Sequence, residues 1–184
     1  MAIRDTHSSY GLITRGLHWV LFVLITMQLL LALLFTDLFS GSAQQIAMWL
    51  HESLGLLIFV LGVVFVAWRL KNPRPSLARV PAWQRGAAFI VHALIYVAIV
   101  VQPIVGILMS FGFGFTIPFF GVFTVPVFIP VGNAAGNALM LSHVYVGVWV
   151  IPILLGGHIA AALYHRFGRR DDVLKRMWSG RGDS

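Results

Sequence analysis

The sequence predicts an all-α fold, a single membrane domain spanning residues 1–184 and built as a four-helix transmembrane bundle with both termini cytoplasmic. Three observations predict it. Of the 184 residues, 59% are hydrophobic and only 10% charged, whereas about a quarter of a soluble domain is charged. Residues 86–165 contain no Asp, Glu, Lys or Arg, which leaves room for two crossings of about 20 residues each and an uncharged connector. The thirteen basic residues fall in three clusters: Arg4 and Arg15; Arg69, Lys71, Arg74, Arg79 and Arg85; and Arg166, Arg169, Arg170, Lys175, Arg176 and Arg181. The other two connectors hold no Lys or Arg, so the positive-inside bias assigns all three clusters to the cytoplasm. That placement makes membrane lipid, rather than nucleic acid, the partner of the net charge of +7.

The first span is read at about residues 16–36. The run is longer than the roughly 7–15 residues of a signal-peptide core and shows no small-residue cleavage site. A short polar turn leads to the second span, about 46–70, which ends at Asn72-Pro73 because proline disfavours helix at the residue before it. The third span, about 83–111, contains Pro103 and Gly106, breakers that a bundle tolerates because neighbouring helices satisfy the freed backbone groups. Residues 112–136, rich in Phe, Gly and Pro, are too broken to cross and are read as an interfacial flap on the outer face with room for a short helix. The fourth span is about 137–165, with Pro152 in its middle, and residues 166–184 form a charged cytoplasmic tail. No internal repeat is evident.

Chemistry concentrates in the histidines. Ionisable side chains inside a span are expensive and mark function by default, and six of the seven histidines lie in or at the spans: His18, His51, His92, His143, His158 and His165. At about 1.5 Å per residue, His51 and His143 share a depth near the outer side. His18 and His158 share one near the inner side, with His92 competing for the place of His18. His143 and His158 stand about 22 Å apart along the fourth helix. Two imidazoles from different helices in each layer would suit two haem irons, His51 with His143 outside and His158 with either His18 or His92 inside. An iron with two strong axial ligands has no open position and favours electron transfer. The absence of cysteine excludes disulfides, iron–sulfur clusters and covalent c-type haem. No tight histidine pair or carboxylate cluster recommends zinc or copper.

Arg15-Gly-Leu-His18-Trp19, His51-Glu-Ser-Leu-Gly55, His92-x-x-x-Tyr96 followed by Pro103-x-x-Gly106, and His143 followed by the segment from His158 to His165 together resemble the bacterial di-haem cytochrome b-561 family, the group that includes membrane-bound superoxide oxidase. The resemblance covers roughly residues 11–177. It implies two haem b groups in a bacterial inner-membrane protein that exchanges electrons with quinone, and it supports His18 with His158 and His51 with His143 as axial ligands. By the same resemblance His92 is a pocket residue and His165 lies near a quinone pocket. Arg15 and Trp19 are further candidates for the haem or quinone pocket, and Arg74 or Arg79 on the cytoplasmic loop could join His165 at a quinone headgroup. Arg15, Arg69 and Arg166 are candidates for the inner haem propionates. Two departures stand out. Fifteen residues separate His143 from His158, about one more than the family spacing. On an ideal helix this turns the second ligand by about 60° from the first, which predicts a kink or bulge near Pro152. The outer face also carries no Lys or Arg to steer an anion such as superoxide.

Three classes of function fit. One is a di-haem electron-transfer cytochrome working between an outer-face donor, such as a partner redox protein docked on the flap, and the membrane quinone pool. Another is a self-contained oxidoreductase using quinone, with superoxide as its substrate. The last is a non-haem membrane subunit whose histidines only pack.

Overall fold

A computed structural model of the chain describes residues 2–38, 40–78 and 80–180. Arg79 and Arg181 lie outside the described residues, as does the side chain of Asp37. Four helices are long and apolar enough to cross a membrane. They are α1 (Leu12–Asp37), α2 (Gly41–Lys71), α3 (Ala82–Gly112) and α4 (Asn133–Arg169). A short helix, α5 (Val173–Ser179), follows. Each span extends the hydrophobic stretch that announces it by one to five residues at either end. Helix α1 begins at Leu12 rather than near residue 16. The N–H groups of Leu12 and Ile13, which a helix start leaves orphaned, donate to the Ala2 and Ile3 carbonyls at 3.0 and 3.4 Å. The Asp5 carboxylate holds this segment by accepting the Gly11 N–H at 2.7 Å and the Thr14 hydroxyl at 2.8 Å.

Helix α2 is the central element. It packs against α1 and α3 and supports the flap. Its Gly62 lets the α3 backbone approach, since a Cβ there would stand 3.3 Å from the Ile99 carbonyl oxygen. Leu21, Ile58, Phe65 and Ile99 form the buried apolar core, with Leu24, Ile25, Ile95 and Tyr96 packed around it. Outward, Phe22, Val60, Phe89, Val97, Trp149 and Ile153 are exposed. So much apolar surface on every span is the surface of a protein whose solvent is lipid.

The flap is a two-stranded antiparallel hairpin, β1 (Ile117–Phe119) with β2 (Phe123–Val125), rather than a short helix. Three residues, Phe120 to Val122, join the paired Phe119 and Phe123. Phe120 at φ 48° and Gly121 at φ 74° are both left-handed, and the Val122 N–H closes the turn on the Phe119 carbonyl at 2.9 Å. The hairpin is tied to α2 through Ser53, which is fully buried. The Ser53 hydroxyl donates to the Pro118 carbonyl at 3.1 Å and accepts the Phe120 N–H at 3.0 Å.

Helices α3 and α4 cross most closely beneath the flap, where Gly112 meets Gly136. A Cβ on Gly112 would come within 2.5 Å of the Gly136 Cα. Gly112→Ala is therefore expected to destabilise the detergent-solubilised protein by about 1–3 kcal/mol, the usual cost of overpacking a tight contact, measured as a lowered Tm. An unchanged Tm would show that this crossing yields freely.

Candidate cofactor site

The histidines gather in two layers. In the layer near the flap, the rings of His51 on α2 and His143 on α4 lie 6.2 Å apart, centre to centre, with planes at 82°. In the layer near the opposite, basic end, His18 on α1 and His158 on α4 are also 6.2 Å apart, with planes at 60°. The depth pairing expected from the sequence is thus a contact pairing.

What aligns both α4 histidines with the bundle interior is a π turn at Val146–Val150. Such a turn accommodates one extra residue in the helix. The fifteen-residue separation then behaves as about fourteen, two heptads of a left-handed bundle, which return a side chain to the same face. Pro152 follows within two residues. Lacking an N–H, it cannot bond to the carbonyl four residues before it, so the ladder is already interrupted where the bulge sits.

A cavity of about 220 Å³ opens between the helices in the flap-end layer, lined by Gln28, His51, Gly55, Gln102, Gly106 and His143 among mostly apolar neighbours. Gly106 is required there, because a Cβ would lie 2.9 Å from Cε1 of His143. The Nδ1 atoms of His18 and His143 are buried with no hydrogen-bond partner among the described residues. Apolar lining, glycine clearance and imidazoles facing one another across a gap are what a bis-imidazole haem site needs. An imidazole–metal bond of about 2.0 Å on each side of an iron puts ring centres roughly 6 Å apart. The flap-end residues fit such a group by cavity, clearance and ring separation, and the basic-end pair matches them in ring separation. None of the described residues forms a cluster of three or more metal-binding His, Cys, Asp or Glu.

His92 is brought into the basic-end layer as well. Its Nδ1 lies 2.6 Å from the Ala88 carbonyl and its ring centre is 5.0 Å from that of His158. That separation is about 1 Å too short for an iron between them, so of the two competitors His18 has the fitting distance.

Other expected pocket residues are committed elsewhere. Arg15 reaches the carbonyl oxygens of Met177 and Trp178, and Trp19 donates to Met177 at 3.3 Å. Both side chains therefore dock α5 under α1. Arg69 forms a buried ion pair with Asp5, while Arg166 is exposed at the bundle end. His165 meets Asp171 at 2.7 Å, and Arg169 donates to the same carboxylate at 3.1 Å. The guanidinium gathered near His165 is thus that of Arg169, ahead of Arg74. Burial pushes the Asp171 carboxyl up, but bonds from His165, the Val173 N–H and Arg169 outweigh it and hold its pKa below the ordinary value. A lowered acid stabilises the fold fully above the unfolded pKa of about 4 and loses that contribution as pH falls through the lowered value. The anchorage of α5 is accordingly expected to be intact at neutral pH and to loosen only below about pH 4. Trp178 fluorescence should report it, and a transition near neutrality would contradict it.

Two features escaped the sequence reading. Asp5 looks like a tail acid, and nothing local shows its partner. Gln28 and Gln102 look like ordinary polar intrusions, yet each bonds to the backbone of a layer histidine. Their shared distance from a preceding histidine was the available signal.

Comparison with known proteins agrees with the geometry. The description "prokaryotic cytochrome b561" matches residues 9–180. Similar proteins include cytochrome b561 homolog 2 of Escherichia coli (strain K12), 31% identical with 96% of this chain and 95% of the relative covered. Homolog 1 of the same organism is 29% identical over 88% and 92%. The "Probable superoxide oxidase CybB" of Yersinia pestis is 25% identical over 93% and 96%. With a helical membrane bundle and a family match over nearly its whole length, the chain belongs to the prokaryotic cytochrome b561 family, which implies b-type haem and electron transfer.

Proposed function

We propose that the protein is a di-haem b-type cytochrome of the bacterial inner membrane, carrying single electrons between a donor at the flap end and membrane quinone at the basic end. The observation that carries this reading is the equal 6.2 Å separation of the two imidazole pairs, close to the roughly 6 Å that an iron held between two imidazoles sets. When bound, haem supplies reversible one-electron chemistry at an iron with no vacant position. His51 and His143 would hold one group, His18 and His158 the other, with the apolar helix faces excluding water from both. The basic end lies in the cytoplasm on this reading, as the positive-inside rule favours. His165, oriented by Asp171, leaves Nε2 to meet a quinone headgroup.

The test is a dithionite-reduced minus oxidised spectrum of the purified protein with haem counted per chain, followed by quinone reduction. Two haems with split b-type bands are expected, and a colourless preparation from haem-replete cells would overturn the reading. Superoxide as the donor is favoured by the name of the Yersinia relative. Against it, the flap-end connectors contain no Lys or Arg to attract an anion. A rate of superoxide-driven quinone reduction equal to the protein-free control would leave a partner redox protein at the flap as the donor.

A further inference from the structure

Glutamine amides are costly inside an apolar bundle unless their hydrogen bonds are made. Two of them are placed alike. Gln28 of α1 donates from Nε2 to the backbone carbonyl of His51 on α2 at 2.9 Å. Gln102 of α3 donates from Nε2 to the backbone carbonyl of His143 on α4 at 2.7 Å. The amide nitrogen is the donor in each, since a carbonyl can only accept. The residue four positions after each histidine is glycine, Gly55 and Gly147, and a Cβ on either would stand 3.3 Å from the glutamine nitrogen. Each glutamine also follows a histidine by ten positions, His18 before Gln28 and His92 before Gln102.

The pattern H-x9-Q, then H-x3-G, therefore occurs twice, once in the α1–α2 hairpin and once in α3–α4. It hides because the interval from glutamine to histidine is 23 residues in the first copy and 41 in the second, the flap occupying part of the longer one.

We infer that Gln28 and Gln102 are a duplicated pair of positioning residues that set the separation and facing of the outer imidazoles. Each bond fixes the rotation of a histidine-bearing helix against its neighbour at the level of the ring, from opposite sides of the bundle. The near-perpendicular 82° setting of His51 and His143 is the result. Preorganisation of ligands by such outer contacts is what tunes a metal site. The inference rests on the di-haem reading above.

Gln28→Met and Gln102→Met keep length and volume but remove the amide. Gly55→Ala and Gly147→Ala keep the glutamine and press a methyl against its amide nitrogen. In full-length protein these variants are expected to shift the ferric electron paramagnetic resonance signal and the midpoint potential of the outer haem alone. A His143→Ala chain identifies which signal that is. Loss of the outer haem alone from any of them supports the same role. Spectra and potentials identical to wild type at full haem content would overturn the inference and leave the di-haem reading standing. So would equal loss of both haems, which reports general unfolding. A wild-type protein without haem would remove both.

Discussion

Replacing His143 with alanine is expected to release one haem and keep the other, halving the b-type absorbance per chain. The ring is the only imidazole facing His51 across the flap-end cavity among the described residues, and its Nδ1 is buried without a partner. The apolar cavity between the two rings, rather than that nitrogen, is where a group held by both imidazoles would sit. Gly106→Ala should act through the same ring: the new methyl would sit 2.9 Å from Cε1 of His143 and must push it aside, weakening haem retention in that layer only. His158→Ala should remove the other haem. A His143→Ala protein with full haem content and an unaltered low-spin spectrum would sink the assignment of that layer.

Asp5→Ala is expected to have the largest effect on stability, about 3–5 kcal/mol, the range for removing one partner of a buried ion pair. The Asp5 side chain is fully buried and that of Arg69 is 5% exposed. The same carboxylate accepts from the Gly11 N–H and the Thr14 hydroxyl, and Thr14 in turn accepts the Trp68 indole N–H at 2.9 Å. Tyr10 lies under the Arg69 guanidinium, 5.2 Å from it, and burial raises its hydroxyl pKa. One acid therefore joins the start of α1 to the end of α2, and its loss strands a buried guanidinium. Asp5→Asn should cost less by keeping an acceptor for Gly11. The double variant Asp5→Ala with Arg69→Met should recover part of the loss, because no lone charge remains. The measurement is denaturant unfolding in detergent. A loss under about 1 kcal/mol in Asp5→Ala would place the pair in the class of surface bridges.

Much of the site was legible before any coordinates because lipid is a severe solvent. A span must be long and apolar, so the four helices stand out from composition, and an imidazole inside one is conspicuous. Depth then follows from the helical rise. The two levels at which histidines gather could be read that way, whereas the ring separations within them, 6.2 Å from His18 to His158 and 5.0 Å from His92 to His158, needed the packed helices.

The sequence by itself determined the number of spans, their uneven charge and the two histidine levels, since each depends on how one residue or one run tolerates hydrocarbon. Tertiary structure decided the π turn that brings His158 round, the hairpin of the flap, the burial of Asp5 against Arg69 at a separation of 64 residues and the two glutamine clamps. These depend on what another helix presents at the point of contact. A polar group's cost is local, but the partner that offsets it is chosen by packing.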